Sequence, residues 1–133
     1  MLGSSPDGGS TWQNFRPVAD ANGQTLLVSG ESNGELVQMP DGRVVLIHQR
    51  RYPRSQEQLI ARVSVDGAKS WLPDEYRLSF GFGYSDSLAL DDGTIITVAG
   101  KTPCDASSKP IASPGAEVIR WRLPNASSMI NMR

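Results

Sequence analysis

The sequence predicts an all-β chain built from repeated four-stranded units, and three observations predict it. The first is an octapeptide that occurs twice. Ser5-Pro6-Asp7-Gly8-Gly9-Ser10-Thr11-Trp12 reads S-x-D-x-G-x-T-W, and a looser copy, Ser64-Val65-Asp66-Gly67-Ala68-Lys69-Ser70-Trp71, follows 59 residues later. The second is a pair of apolar, Asp-Gly, apolar segments, Val37–Ile47 and Leu88–Val98, offset by 51 residues. Each reads as a β-hairpin, because Asp-Gly between apolar runs is a strong short-range turn signal. The third is the order: an Asp-Gly hairpin comes first and an octapeptide hairpin follows, so that together they make four strands. Self-similarity on this scale points to a solenoid or propeller.

Each element follows from local chemistry. In the octapeptide the Asp carboxylate is suited to accept hydrogen bonds from turn amides two or more residues on. Gly supplies a backbone conformation closed to other residues, and Trp carries a large apolar ring that clamps the turn onto a neighbour. Residues 1–20 are expected to form the last hairpin of a first unit, with Phe15 to Val18 on its outer strand. In residues 21–34, Asn22-Gly23 and Asn33-Gly34 signal turns, with a short strand at Thr25 to Ser29 between them. A complete unit occupies 21–82, with strands at Glu35 to Met39, Arg43 to Gln49, Gln58 to Ser64 and Glu75 to Ser79. A third unit, 83–124, has strands at Tyr84 to Leu90, Thr94 to Ala99 and Glu117 to Leu123, where Pro124 ends it. Residues 101–115 read as a Pro/Ser/Gly-rich loop and 125–133 as a frayed polar tail. No amphipathic helix of useful length is present.

Composition bounds the function. At 133 residues the chain holds about two to three units, whereas closed propellers have about four to eight. The expectation is therefore a partial β-propeller belonging to a larger protein, whose remaining blades are partners. The earlier strands of the first unit are expected to lie before Met1. The formal charge of −1 and pI of about 5.7 give no electrostatic case for nucleic acid or a membrane surface. No apolar run approaches a membrane span. Cys104 is the single cysteine, so no internal disulfide forms; with no His or Cys beside it, neither metal nor thiol chemistry is indicated. Asn125-Ala126-Ser127 matches a glycosylation sequon, a tripeptide common by chance.

The octapeptide resembles the Asp-box, or bacterial neuraminidase (BNR) repeat, of the sialidase superfamily, and the likeness runs from Glu35 through Val98. It implies a β-propeller of sialidase type and a C-terminal piece of a sialidase-like glycoside hydrolase acting on a sialoglycoconjugate or another terminal sugar. It implies no cofactor and no metal, and a secreted or periplasmic location. Ser5, Asp7, Gly9, Thr11, Trp12, Ser64, Asp66, Ser70 and Trp71 would then be structural Asp-box residues on the periphery. Gly83-Tyr84-Ser85-Asp86 resembles the triplet that carries the family's nucleophile, so Tyr84 is the implied catalytic residue. A neutral nucleophile suits a substrate with its own carboxylate, and sialidases depart in this way from the two-carboxylate rule. The alternative is an inner-strand Tyr packed in the core.

The family also binds the substrate carboxylate with arginines, whose planar fork pairs bidentately and stays charged. Arg54 is the first choice, with Arg50 or Arg51 in its place, against the alternative of a solvated basic loop. The chain departs from the family at Val98-Ala99-Gly100-Lys101, where a Leu-Tyr-Glu triplet is frequent. The acid/base Asp, the Glu that activates the Tyr and two further arginines have no counterpart here. Glu31 and Glu35 read as rim or loop carboxylates, Asp86 as a turn acceptor, and His48 as a satisfied core residue. The rival to an enzyme is a non-catalytic Asp-box propeller module that binds carbohydrate or protein.

Overall fold

A computed structural model describes residues 1–52, 57–81, 83–105, 107 and 109–124. Arg54, the polar tail and the Asn125 sequon lie outside the described residues. Among the described residues there is no helix. Nine strands form three antiparallel sheets: β1 (Leu2–Ser4) and β2 (Gln13–Arg16); β3 (Glu31–Gln38), β4 (Val44–Arg50), β5 (Gln58–Ser64) and β6 (Tyr76–Phe80); β7 (Ser85–Ala89), β8 (Thr94–Lys101) and β9 (Gly115–Arg122). In each sheet the strands are neighbours in chain order, as short connections favour.

The strands fall where alternation and Asp-Gly turns place them, with three differences. The outer strand of the first hairpin is β2 at Gln13–Arg16 and not Phe15 to Val18, and Val18 beyond it is buried in the core. Thr25 to Ser29 is not a strand. Only a single bridge joins Ala19 to Thr25, and the Asp20 carboxylate closes the loop by accepting from the Asn22 and Gln24 amides at 2.9 and 2.8 Å. Residues 31–34 belong to a strand, although Asn33-Gly34 reads as a turn. β3 starts at Glu31 and carries a bulge between Ser32 and Glu35, where Asn33 takes a positive φ of 54°. Asn tolerates that region better than most residues, so the same dipeptide serves a bulge as well as a turn.

Burial explains the stacking. On β4, Val45 and Ile47 face one way; with Val37, Leu59, Ala61 and Val63 they form the main core against Ile95 and Ala99 of the third sheet and Leu123 just beyond it. Leu46, on the other face of β4, joins Trp71 and Val18 in a second cluster towards the first hairpin. β4 and β5 are therefore covered on both faces, which is why they read as near-continuous apolar runs. The third sheet is covered on one face only. Leu88, Val98 and Val118 on its outer face are 53, 48 and 70% exposed.

Polar ties reinforce the packing. The Glu35 carboxylate on β3 accepts from the Ser85 and Ser87 hydroxyls of β7 at 3.1 and 2.8 Å. Ser87 bonds Thr97 at 2.9 Å, and Thr97 accepts from the Trp121 indole at 3.0 Å. Glu35 is thus not a rim carboxylate but the link between two sheets. Elsewhere Ser79 on β6 donates to Glu117 on β9, and Arg43 donates to the Pro124 carbonyl at 2.8 Å.

Candidate functional site

The two octapeptides fold alike. The Gly9 amide donates to Ser5 Oγ at 2.7 Å, the Thr11 amide to Asp7 Oδ1 at 2.8 Å and the Thr11 hydroxyl to Asp7 Oδ2 at 2.7 Å. In the second copy Ala68 donates to Ser64 Oγ at 2.9 Å, and the Ser70 amide and hydroxyl to Asp66 at 2.9 and 2.7 Å. Burial raises the Asp66 carboxyl, but the bonds from Ser70 and Ser64 outweigh it and hold it down to about 2. The bonds from Thr11 lower Asp7 in the same way. Both carboxylates are engaged in closing their own turns. The two indoles differ: Trp71 is 2% exposed, whereas Trp12 is 60% exposed.

Tyr84 stands immediately before β7 and is 74% exposed, so it is not the packed core Tyr of the bland alternative. Its place is set by a close backbone approach. A Cβ on Gly83 would lie 2.1 Å from the Gly100 carbonyl oxygen, and the Gly100 amide donates to the Tyr84 carbonyl at 2.8 Å. Gly100 therefore has a structural role, holding the backbone at Tyr84. Asp86 is exposed and accepts from the Ser87 amide at 3.1 Å.

Arg50, at the end of β4, has its fork filled from within. Nε and Nη2 donate to Glu31 Oε1 at 2.9 and 2.7 Å, while Nη1 and Nη2 donate to Glu75 at 3.1 and 2.7 Å. Glu75 also pairs with Arg62, whose guanidinium reaches the Pro73 and Leu26 carbonyls. Two carboxylates and two guanidiniums balance. The bond from Arg50 lowers Glu75, and the bond to Glu75 raises Arg50. The Glu31 side chain is fully covered, so it is a buried ion-pair partner rather than a rim carboxylate. A substrate carboxylate would have to displace Glu31 or Glu75 to reach Arg50. Arg51 is half-buried.

His48 lies beside this cluster. It is buried, as expected of a core histidine, but it is not satisfied: neither ring nitrogen has a hydrogen-bond partner among the described residues. Burial pushes its pKa down to about 4, with the nearby Glu31 opposing. It is therefore neutral at pH 7.

Sequence reasoning singles out Tyr84, Arg54 with Arg50 or Arg51 in its place, and both octapeptide carboxylates; it misses Glu75 and Arg62, which the structure brings together with Arg50, and the Gly83–Gly100 contact. Arg62 has a visible signal, a charge inside the apolar strand Leu59–Val63, which points to a buried ion pair. The glycine contact has none, because it joins Gly83, ahead of β7, to Gly100 on β8, residues far apart in sequence. No group of three or more His, Cys, Asp or Glu is placed to hold a metal among the described residues, and no helix is long and apolar enough to cross a membrane. Compared with known proteins, the chain matches no protein-family model and no curated protein.

Proposed function

We propose that the chain is part of an Asp-box β-propeller of sialidase type and carries one portion of a glycosidase site, with Tyr84 as its nucleophile. The observation that carries the reading is the pair of octapeptide turns closed by matching hydrogen bonds, each at the corner of a sheet. Stacking of the three sheets through alternate apolar side chains agrees with consecutive blades. In this reading the Tyr84 oxygen attacks the anomeric carbon of a terminal sugar, most simply sialic acid, and its phenolic proton passes to an activating carboxylate supplied by another part of the propeller. The bond to the leaving oxygen breaks, and water later releases the sugar from the Tyr84 ether with retention. The leaving group is protonated by an acid that this chain does not supply. Sialosides are therefore expected to survive exposure to the isolated chain. In an intact propeller that contains it, Tyr84→Phe lowers kcat by several orders of magnitude and leaves thermal stability unchanged. Steady-state kinetics with a fluorogenic sialoside check this; a wild-type kcat in Tyr84→Phe excludes the nucleophile.

A second reading is favoured by two observations. Arg50 is saturated by Glu31 and Glu75, and Gly100 replaces the family's Glu. Both suit a non-catalytic Asp-box module that binds carbohydrate or protein. Under that reading Tyr84→Phe weakens glycan binding in a titration and no hydrolysis accompanies any variant.

A further inference from the structure

We propose that Glu35 is the positioning residue of Tyr84. Its carboxylate ends a one-way hydrogen-bond chain that locks the start of β7, the strand that Tyr84 leads into. This assignment rests on the reading of Tyr84 as a functional group. The direction of the chain follows from counting hydrogens. A serine or threonine hydroxyl has one hydrogen to donate, and an indole N–H only donates. Ser85 and Ser87 each give theirs to Glu35 Oε1, at 3.1 and 2.8 Å. Ser87 then has none left for Thr97, so at the 2.9 Å contact between them Thr97 donates and Ser87 accepts. The Trp121 indole donates to Thr97 at 3.0 Å. Every hydrogen from Trp121 on β9, through Thr97 on β8 and Ser87 on β7, thus points towards one carboxylate oxygen on β3. Aligned donors polarise one another, and a carboxylate is a strong terminus for them.

β7 needs such a lock. It has five residues, and among the described residues it pairs on one edge only, with β8. The Gly100 amide bonds the Tyr84 carbonyl at 2.8 Å and fixes the backbone within the plane of the sheet. Ser85 and Ser87 are two residues apart and so share one face. Through Glu35 they fix the same backbone perpendicular to that plane. They also fix its register. A slip of β7 by one residue would bring Asp86 to Glu35, and two like charges set against each other repel. Tyr84 is therefore an exposed side chain on a backbone anchored in two directions, from β8 and from β3.

The test is nuclear magnetic resonance on the full chain labelled with nitrogen-15. It reads the backbone order parameter of Tyr84 and the indole N–H signal of Trp121. In the wild type Tyr84 should lie near the rigid value of about 0.85. Glu35→Ala and Ser85→Ala should each bring it below about 0.6. Glu35→Ala should also speed solvent exchange of the Trp121 indole proton about tenfold or more. Glu35→Gln, which keeps an acceptor oxygen, should hold both signals near the wild type. The Val45 and Val63 amides, paired between β4 and β5, should not change in any variant. A Tyr84 already mobile in the wild type, or as ordered in Glu35→Ala as in the wild type, overturns the proposal. So does equal loss in Glu35→Gln, or matching loss at Val45 and Val63, which would make Glu35 a packing residue alone. If Glu35→Ala does not fold, Ser85→Ala decides, and retained order at Tyr84 overturns the proposal. A wild-type kcat in Tyr84→Phe removes the nucleophile and leaves these signals as they are, so the two ideas fail separately.

Discussion

At the scale of single residues, Ala68 shows how the second octapeptide tolerates its looser sequence. It takes the place of Gly9 and holds a positive φ of 63°, where a Cβ is strained. Ala68→Gly should therefore raise stability by roughly 0.5–1 kcal/mol, and Gly9→Ala should lower it by about 1 kcal/mol. A Cβ at Gly9 meets nothing within 4 Å, so the second change tests backbone strain alone. Urea denaturation of both variants checks the pair, and equal signs would refute the strain argument. His48 makes a pH prediction. Its pKa falls from 6.5 to about 4 in the fold. The unfolded chain then binds the extra proton first as pH drops. The contribution is fully present above about pH 6.5, is lost between there and about pH 4, and totals about 3 kcal/mol. Unfolding free energies across that window should slope downward in the wild type. They should lie flatter in His48→Leu. Asp66 acts lower, between its unfolded 3.8 and about 2, so the two windows separate.

At the scale of elements, the two tryptophans predict opposite outcomes for one substitution. Trp71 is buried against Val18 and Leu46, so Trp71→Ala should cost about 3–5 kcal/mol. Trp12 is exposed, so Trp12→Ala should stay within about 0.5 kcal/mol. Thermal melts of the two variants decide it. The same elements show how far the sequence is legible. Val37–Ile47 and Leu88–Val98 declare their hairpins because apolar alternation and Asp-Gly are local signals, and β5 falls at Gln58–Ser64 as read. Asn33-Gly34 misleads because a turn and a bulge ask for the same φ. The site was legible only in part. Tyr84 is marked by its neighbours in sequence, whereas the engagement of Arg50 by Glu31 and Glu75 depends on three separate strands and loops meeting. No spacing encodes that meeting.

At the scale of the whole molecule, the uncovered third sheet governs behaviour in solution. Leu88, Val98 and Val118 lie on the same outer face, since Val98 pairs with Val118 and Leu88 pairs with Ile96, two residues from Val98 on β8. Exposed apolar faces of this kind promote association. Light scattering at increasing concentration should show rising mass for the wild type, and Val98→Lys with Val118→Glu should suppress it. A wild type that stays monomeric at high concentration would show the face to be harmless.

Glu35 has a mechanical consequence. Its carboxylate joins the second and third sheets through the Ser85 and Ser87 hydroxyls, and these sheets share one apolar core. The first hairpin meets the second sheet through a smaller cluster and the Arg16 bond to the Ala68 carbonyl. Under tension applied at the two ends, the hairpin should peel away first at low force. The seven strands behind it should then rupture together in a single larger step, because neither sheet can slide from the other until the Glu35 bolt and the Ser79–Glu117 bond shear.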